Sequence, residues 1–134
     1  MEEREALVMH KEQTSLGTVT IAEEVVRIIA GLAATNVQGV ADMSGGIAGG
    51  IVERLGRRNL SKGVKVEVGE KEAAVDIYVI VEFGARIPEL AASIQKAVKG
   101  AVEEMTGLNV VETNVNIQGV AFEEEPSANV DRVK

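Results

Sequence analysis

A chain of 134 residues with 46% apolar and 26% charged side chains has the size and balance of one folded domain rather than a disordered segment. Its net charge of -7 at pH 7 sets the molecule as a whole against phosphate backbones and anionic lipid. With no Cys, disulfides, thiolate metal sites and a cysteine nucleophile are excluded, and two Phe, one Tyr and no Trp are too few rings for a base-stacking sheet.

The apolar set holds 21 Val and 10 Ile against 7 Leu, with 16 Ala, which favours strands packed against Ala-rich helices. Counting glycine only inside a run, the longest apolar run is 7 residues, Ile28 to Ala34, whereas a spanning helix needs about 20. The acidic start, Met1 to Glu5, lacks the basic and apolar regions of a signal peptide. These features predict a cytoplasmic protein, at most peripheral to a membrane.

Residues 1–15 are polar without a sustained period and are expected to form a flexible arm. Leu16 to Thr20 reads as extended. Thr20 and Glu23 have capping-box spacing, and Ile21, Val25, Ile28, Ile29, Leu32 and Ala33 predict one buried face of a helix over 21–34. Val37 to Ala41 reads as a second short extended piece. Ser44 to Gly50 carries four glycines in seven residues and leads into Ile51 to Leu60.

The pattern then turns strand-like. Val64, Val66 and Val68 alternate with Lys65 and Glu67, Gly69 to Glu72 is a polar turn, and Val75, Ile77, Val79, Val81 and Phe83 share one face. The two runs predict an antiparallel hairpin over 63–83. Pro88 suits the first turn of a second helix, 88–106, striped by Leu90, Ala91, Ile94, Ala97, Val98, Ala101, Val102 and Met105, with Gly107 as its C-terminal cap. Val111, Thr113, Val115 and Ile117 alternate with Glu112, Asn114, Asn116 and Gln118 in a last strand over 109–120. From Glu123 the chain is expected to be a mobile acidic tail, 123–134.

The expected fold is therefore α+β in two layers, with two long helices on one face of a small, mainly antiparallel sheet. It forms a single domain over 16–122, carrying a Gly/Arg-rich insert at 43–62.

Candidate chemistry is thin. No Gly-Lys-Ser/Thr follows the glycine cluster, and the dinucleotide spacing is not matched. Gly46 to Gly49 satisfies only a bare Gly-x-x-Gly, so a flexible connector is favoured over a phosphate loop. His10 stands alone without metal-ligand spacing, and no serine has a histidine base in the pattern. No catalytic residue, cofactor or metal site is assigned, and a non-enzyme is expected.

The atypical stretch is 43–65. Arg54, Arg57, Arg58, Lys62 and Lys65 stand there against Glu53 alone, a local excess of positive charge in an acidic chain. At helical spacing Ile47, Ile51, Val52 and Leu55 fall on one side, bordered by Arg54 and Arg58, a pattern suited to an anionic membrane or a partner's groove. Gly49, Gly50 and Gly56 oppose a helix. Ile47, Ile51, Arg54, Leu55, Arg57, Arg58 and Lys62 are the candidate partner-docking residues. The competing reading is a solvated connector whose arginines pair with the domain's own carboxylates.

The run Gly17 to Val26 (GTVTIAEEVV), then Ile29-Ala30 and Gly39-Val40, resembles the opening motif of the alkaline shock protein family of Gram-positive bacteria. Gly63 to Val66, Ala74 to Gly84 and Val110 to Val120 are similar to the same family, so the likeness spans roughly 15–122. It implies a small α+β domain, a non-enzymatic role in cell-envelope stress or homeostasis, and protein partners, including a membrane anchor protein. The family has no catalytic motif to carry over. Homo-oligomerisation is a further expectation, because a sheet of few strands leaves edges to be paired or covered. The alternative function is a small nucleic-acid-binding module using Gly46 to Gly49 and the adjacent arginines.

Overall fold

The computed structural model describes residues 9–45 and 62–122. The expected tail 123–134, most of the insert and residues 1–8 of the expected arm lie outside the described residues. Strands β1 (Met9–Thr14) and β2 (Gly17–Ala22) form an antiparallel hairpin. Its turn is closed by Thr14, whose Oγ1 donates to the Gly17 carbonyl at 3.1 Å and accepts the Leu16 N–H at 3.0 Å. Residues 9–14 are thus a strand where the polarity of the sequence suggested a loose arm. Backbone pairing builds this hairpin, and it leaves no apolar period to read, because residues 13–20 are exposed.

Helix α1 (Glu23–Thr35) follows β2 directly, with Ala22 at its N-cap and no side-chain cap. The expected Thr20–Glu23 capping box does not form, because Thr20 is held in the β2 ladder opposite Lys11. Glu23 and Glu24 complement the helix dipole instead, and Arg27 pairs with both at 3.3 Å. The buried face is also turned from the expected one. Val26, Ile29, Ala30, Gly31 and Ala34 are buried, while Val25 and Leu32 are 43% and 44% exposed. The helix is apolar around most of its circumference, so period alone did not select a face. Close packing against the second helix takes the side rich in Ala and Gly.

The main sheet has four strands: β3 (Val40–Met43), β4 (Val64–Val68), β5 (Glu72–Glu82) and β6 (Asn109–Ala121). The predicted hairpin is β4–β5, antiparallel, with Val64 opposite Ile77 and Val68 opposite Ala73. β3 is antiparallel to the other end of β5, from Val79 to Val81. β6 runs parallel to β5 along its whole length, and helix α2 (Ile87–Thr106) makes the crossover between them. The α+β fold with a mainly antiparallel sheet holds, and β5–β6 is its parallel pairing among the described residues.

α2 starts with Pro88 in its first turn and ends at Gly107, which takes the left-handed conformation (φ 81°) and donates its N–H to the Glu103 carbonyl at 2.9 Å. Leu90, Ile94, Val98, Val102 and Thr106 are buried, whereas Met105 at the end of the expected stripe is exposed. Thr106 takes the inward position because its hydroxyl bonds the Val102 carbonyl at 2.6 Å and accepts the Leu108 N–H at 3.1 Å. Ala73, Val75, Ile77, Val79 and Val81 turn one face of β5 into a single core with both helices, and Val115 and Ile117 pack against it. The alternate face of β5 (Ala74, Asp76, Tyr78, Ile80, Glu82) looks away from the helices.

Candidate docking site at an interrupted edge strand

β3 and β4 are two pieces of one edge. The Ser44 N–H donates to the Tyr78 carbonyl at 2.8 Å, and the Tyr78 N–H donates to the Gly63 carbonyl at 2.8 Å. The chain therefore leaves β5 at Ser44 and returns to the same residue at Gly63. Without the intervening residues, β3 would continue into β4. The candidate docking stretch is an excursion whose two ends are clamped on a single tyrosine of the central strand.

The neck is tightly packed. Gly63 has φ 77°, and a Cβ there would lie 2.8 Å from the Tyr78 carbonyl oxygen, 3.0 Å from Met43 Cβ and 3.2 Å from the Ser44 nitrogen. A Cβ at Gly45 would run into the aliphatic stem of Lys62. Glycine is required at 63 both for conformation and for approach. The Lys62 ammonium sits 3.6 Å from an Asp42 oxygen, and its side chain is only 11% exposed. On the open side of the sheet Ser44 Oγ donates to Gln118 Oε1 at 3.5 Å, and Lys65 Nζ lies 5.5 Å from the centre of the Tyr78 ring.

That open side is acidic and amide-rich. Asp42, Glu67, Asp76, Glu82 and Glu112 share it with Lys65, and the Lys62 ammonium reaches Asp42. Asn114 Nδ2 donates to Asp76 Oδ1 at 2.8 Å and to Glu112 Oε2 at 3.1 Å, and Asn116 Nδ2 donates to the Ile77 carbonyl at 3.2 Å. Among the described residues, no group of three His, Asp or Glu is placed to hold a metal ion, and no helix is long and apolar enough to cross a membrane.

Of the candidate docking residues, the structure describes Lys62, at the neck and turned toward Asp42. Ile47, Ile51, Arg54, Leu55, Arg57 and Arg58 lie outside the described residues. Sequence reasoning did not find the anchor Tyr78. Its signal is faint, a lone tyrosine on the polar face of a strand flanked by two half-strands.

A two-layer α+β domain with a broken edge strand and no assembled catalytic constellation among its described residues is the class defined so far. The chain belongs to the alkaline shock protein 23 (ASP23) family, a family with a cell envelope-related function, whose pattern matches residues 11–122. It is 44% identical to the uncharacterized protein YqhY of Bacillus subtilis (strain 168) over 92% of this chain and 91% of that one. It is 36% identical to YloU of the same organism, over 81% of this chain and 92% of the relative. Stress response regulator gls24 homologs of Streptococcus pyogenes are 34% identical over 81% of this chain, which spans 62% of their length. Among solved structures, a MamM CTD variant shares the fold with a TM-score of 0.51 and 15% identity, covering 78% of this chain and 98% of that domain.

Proposed function

We propose that this protein is a non-enzymatic interaction module of the cell-envelope stress response, acting at the cytoplasmic face of the membrane through protein contacts made by the excursion between Ser44 and Gly63. The observation that carries this reading is the clamp on Tyr78, which fixes both ends of a basic segment at one point of an acidic domain. A connector needs no such anchorage. A docking segment benefits, because holding its two ends at one point lowers the entropic cost of presenting it to a partner. Family membership and the named stress response regulators support the envelope and stress setting.

The partner surface is apolar with an anionic rim, since Ile47, Ile51 and Leu55 supply the apolar anchors and Arg54, Arg57 and Arg58 the charge. A membrane anchor protein of that character fits. Nucleic acid fits less well, because the open sheet face beside the neck is acidic.

The test is the triple change Arg54→Glu, Arg57→Glu and Arg58→Glu in the native cell, followed by crosslinking pull-down and localisation. The variant should keep the wild-type circular dichroism and unfolding midpoint while losing its captured partner. Unchanged capture and localisation would make the segment a connector. Salt-sensitive retention of RNA by the wild type, lost in the variant, would favour the nucleic-acid alternative.

A further inference from the structure

On one side of α2, Gln95, Lys99 and Glu103 recur every fourth residue and reach over the start of β6. Glu103 Oε2 accepts the Val110 N–H at 2.9 Å, Lys99 Nζ donates to the Val110 carbonyl at 3.1 Å, and Gln95 Nε2 donates to the Thr113 carbonyl at 3.0 Å. β5 occupies the opposite side of β6, so these are the backbone groups of its outer edge. The same helical row continues to Ala91 and Ile87, which have no polar side-chain atom. The helix therefore caps the edge as far as Thr113 and no further.

Backbone groups alternate between the two sides of a strand, so Val115 and Ile117 continue the outward row. Among the described residues, no strand or side chain bonds them from that side. From Thr113 to Phe122 the strand has no charge and no proline, the devices that usually keep an edge from pairing. On the bare stretch Val115 and Ile117 are half-buried and Val120 is exposed. Such an edge takes an extended, uncharged strand with β-branched side chains on the helix-facing side.

β6 has that sequence itself. We propose that the edge from Val115 to Val120 is a dimer interface, at which β6 of a second copy pairs antiparallel and joins the two sheets into one. A two-fold axis at Asn116 sets Val115 against Ile117 of the partner subunit and Asn114 against Gln118 of the partner subunit. The paired stretch carries no charge of its own, so no like charges meet across the strand pair. This surface lies on the opposite side of β5 from the neck, and the proposal does not depend on the docking function.

Because the full chain has no cysteine, Asn116→Cys is a clean probe. Directly opposed residues of a non-hydrogen-bonded antiparallel pair have Cα atoms about 4.5 Å apart, inside the disulfide range of about 4.4–6.8 Å. The wild type should sediment as a dimer at high micromolar concentration. Mild oxidation should convert most of Asn116→Cys to a linked dimer while Glu67→Cys on β4 stays unlinked. Asn116→Lys, which opposes two like charges on the open face, should abolish the dimer while keeping the cooperative unfolding of a folded chain. A monomeric wild type, equal crosslinking at positions 67 and 116, or a dimer indifferent to Asn116→Lys would each overturn the proposal.

Discussion

Gly63 lies so close to Tyr78 that a methyl group on its α-carbon would stand 2.8 Å from the tyrosine's carbonyl oxygen. The contact is backbone against backbone, so no side-chain rotation relieves it. Together with the Ser44 bond it makes one residue of β5 the hinge of both half-strands.

Gly63→Ala should therefore destabilise the domain by about 2 kcal/mol or more, combining a left-handed backbone (φ 77°) with the clash. Gly100 has open space around its α-carbon and lies inside α2. Gly100→Ala should stabilise by about 0.5–1 kcal/mol through helix propensity and reduced unfolded-state entropy. Urea unfolding of both variants checks the pair, and equal midpoints would contradict the packed neck.

A pH dependence follows from the cap on β6. The hydrogen bond from Lys99, at 2.7 Å, is the main cause holding the Glu103 carboxyl below its ordinary value of 4.5, with the Val110 N–H second. A carboxylate with a depressed folded-state pKa contributes stability that is complete above the unfolded value and lost as pH falls through the folded one. Glu103→Gln should thus be less stable than wild type at neutral pH, and the gap should close as pH drops below about 4.5. Urea midpoints measured from pH 7 to pH 3 test this. A gap that widens in acid would be the wrong sign.

The rotated face of α1 gives a third expectation. Ile29→Ala should cost about 2–5 kcal/mol, as expected for a buried aliphatic residue. Leu32→Ala, on the exposed side, should cost about 0.5 kcal/mol or less. Thermal unfolding separates them, and comparable losses would restore the face that the sequence spacing suggested.

Much of the architecture was legible because it is encoded locally. Alternation in Val64 to Val68 and Val75 to Val81, the four-residue recurrence from Leu90 to Val102, Pro88 and Gly107 each act within a few residues of themselves. They mark those elements, the hairpin and the α+β class without any long-range contact. Tertiary structure decided which apolar side of α1 is buried, since that depends on how closely Ala30, Gly31 and Ala34 let two helices approach. It also placed β6 parallel to β5 and brought Gln95, Lys99 and Glu103 onto its edge. The closure of Ser44 and Gly63 on Tyr78 is of the same kind. Each is a relation between segments far apart in the chain, fixed by pairing and packing across that distance, and no local period records such a choice of partner.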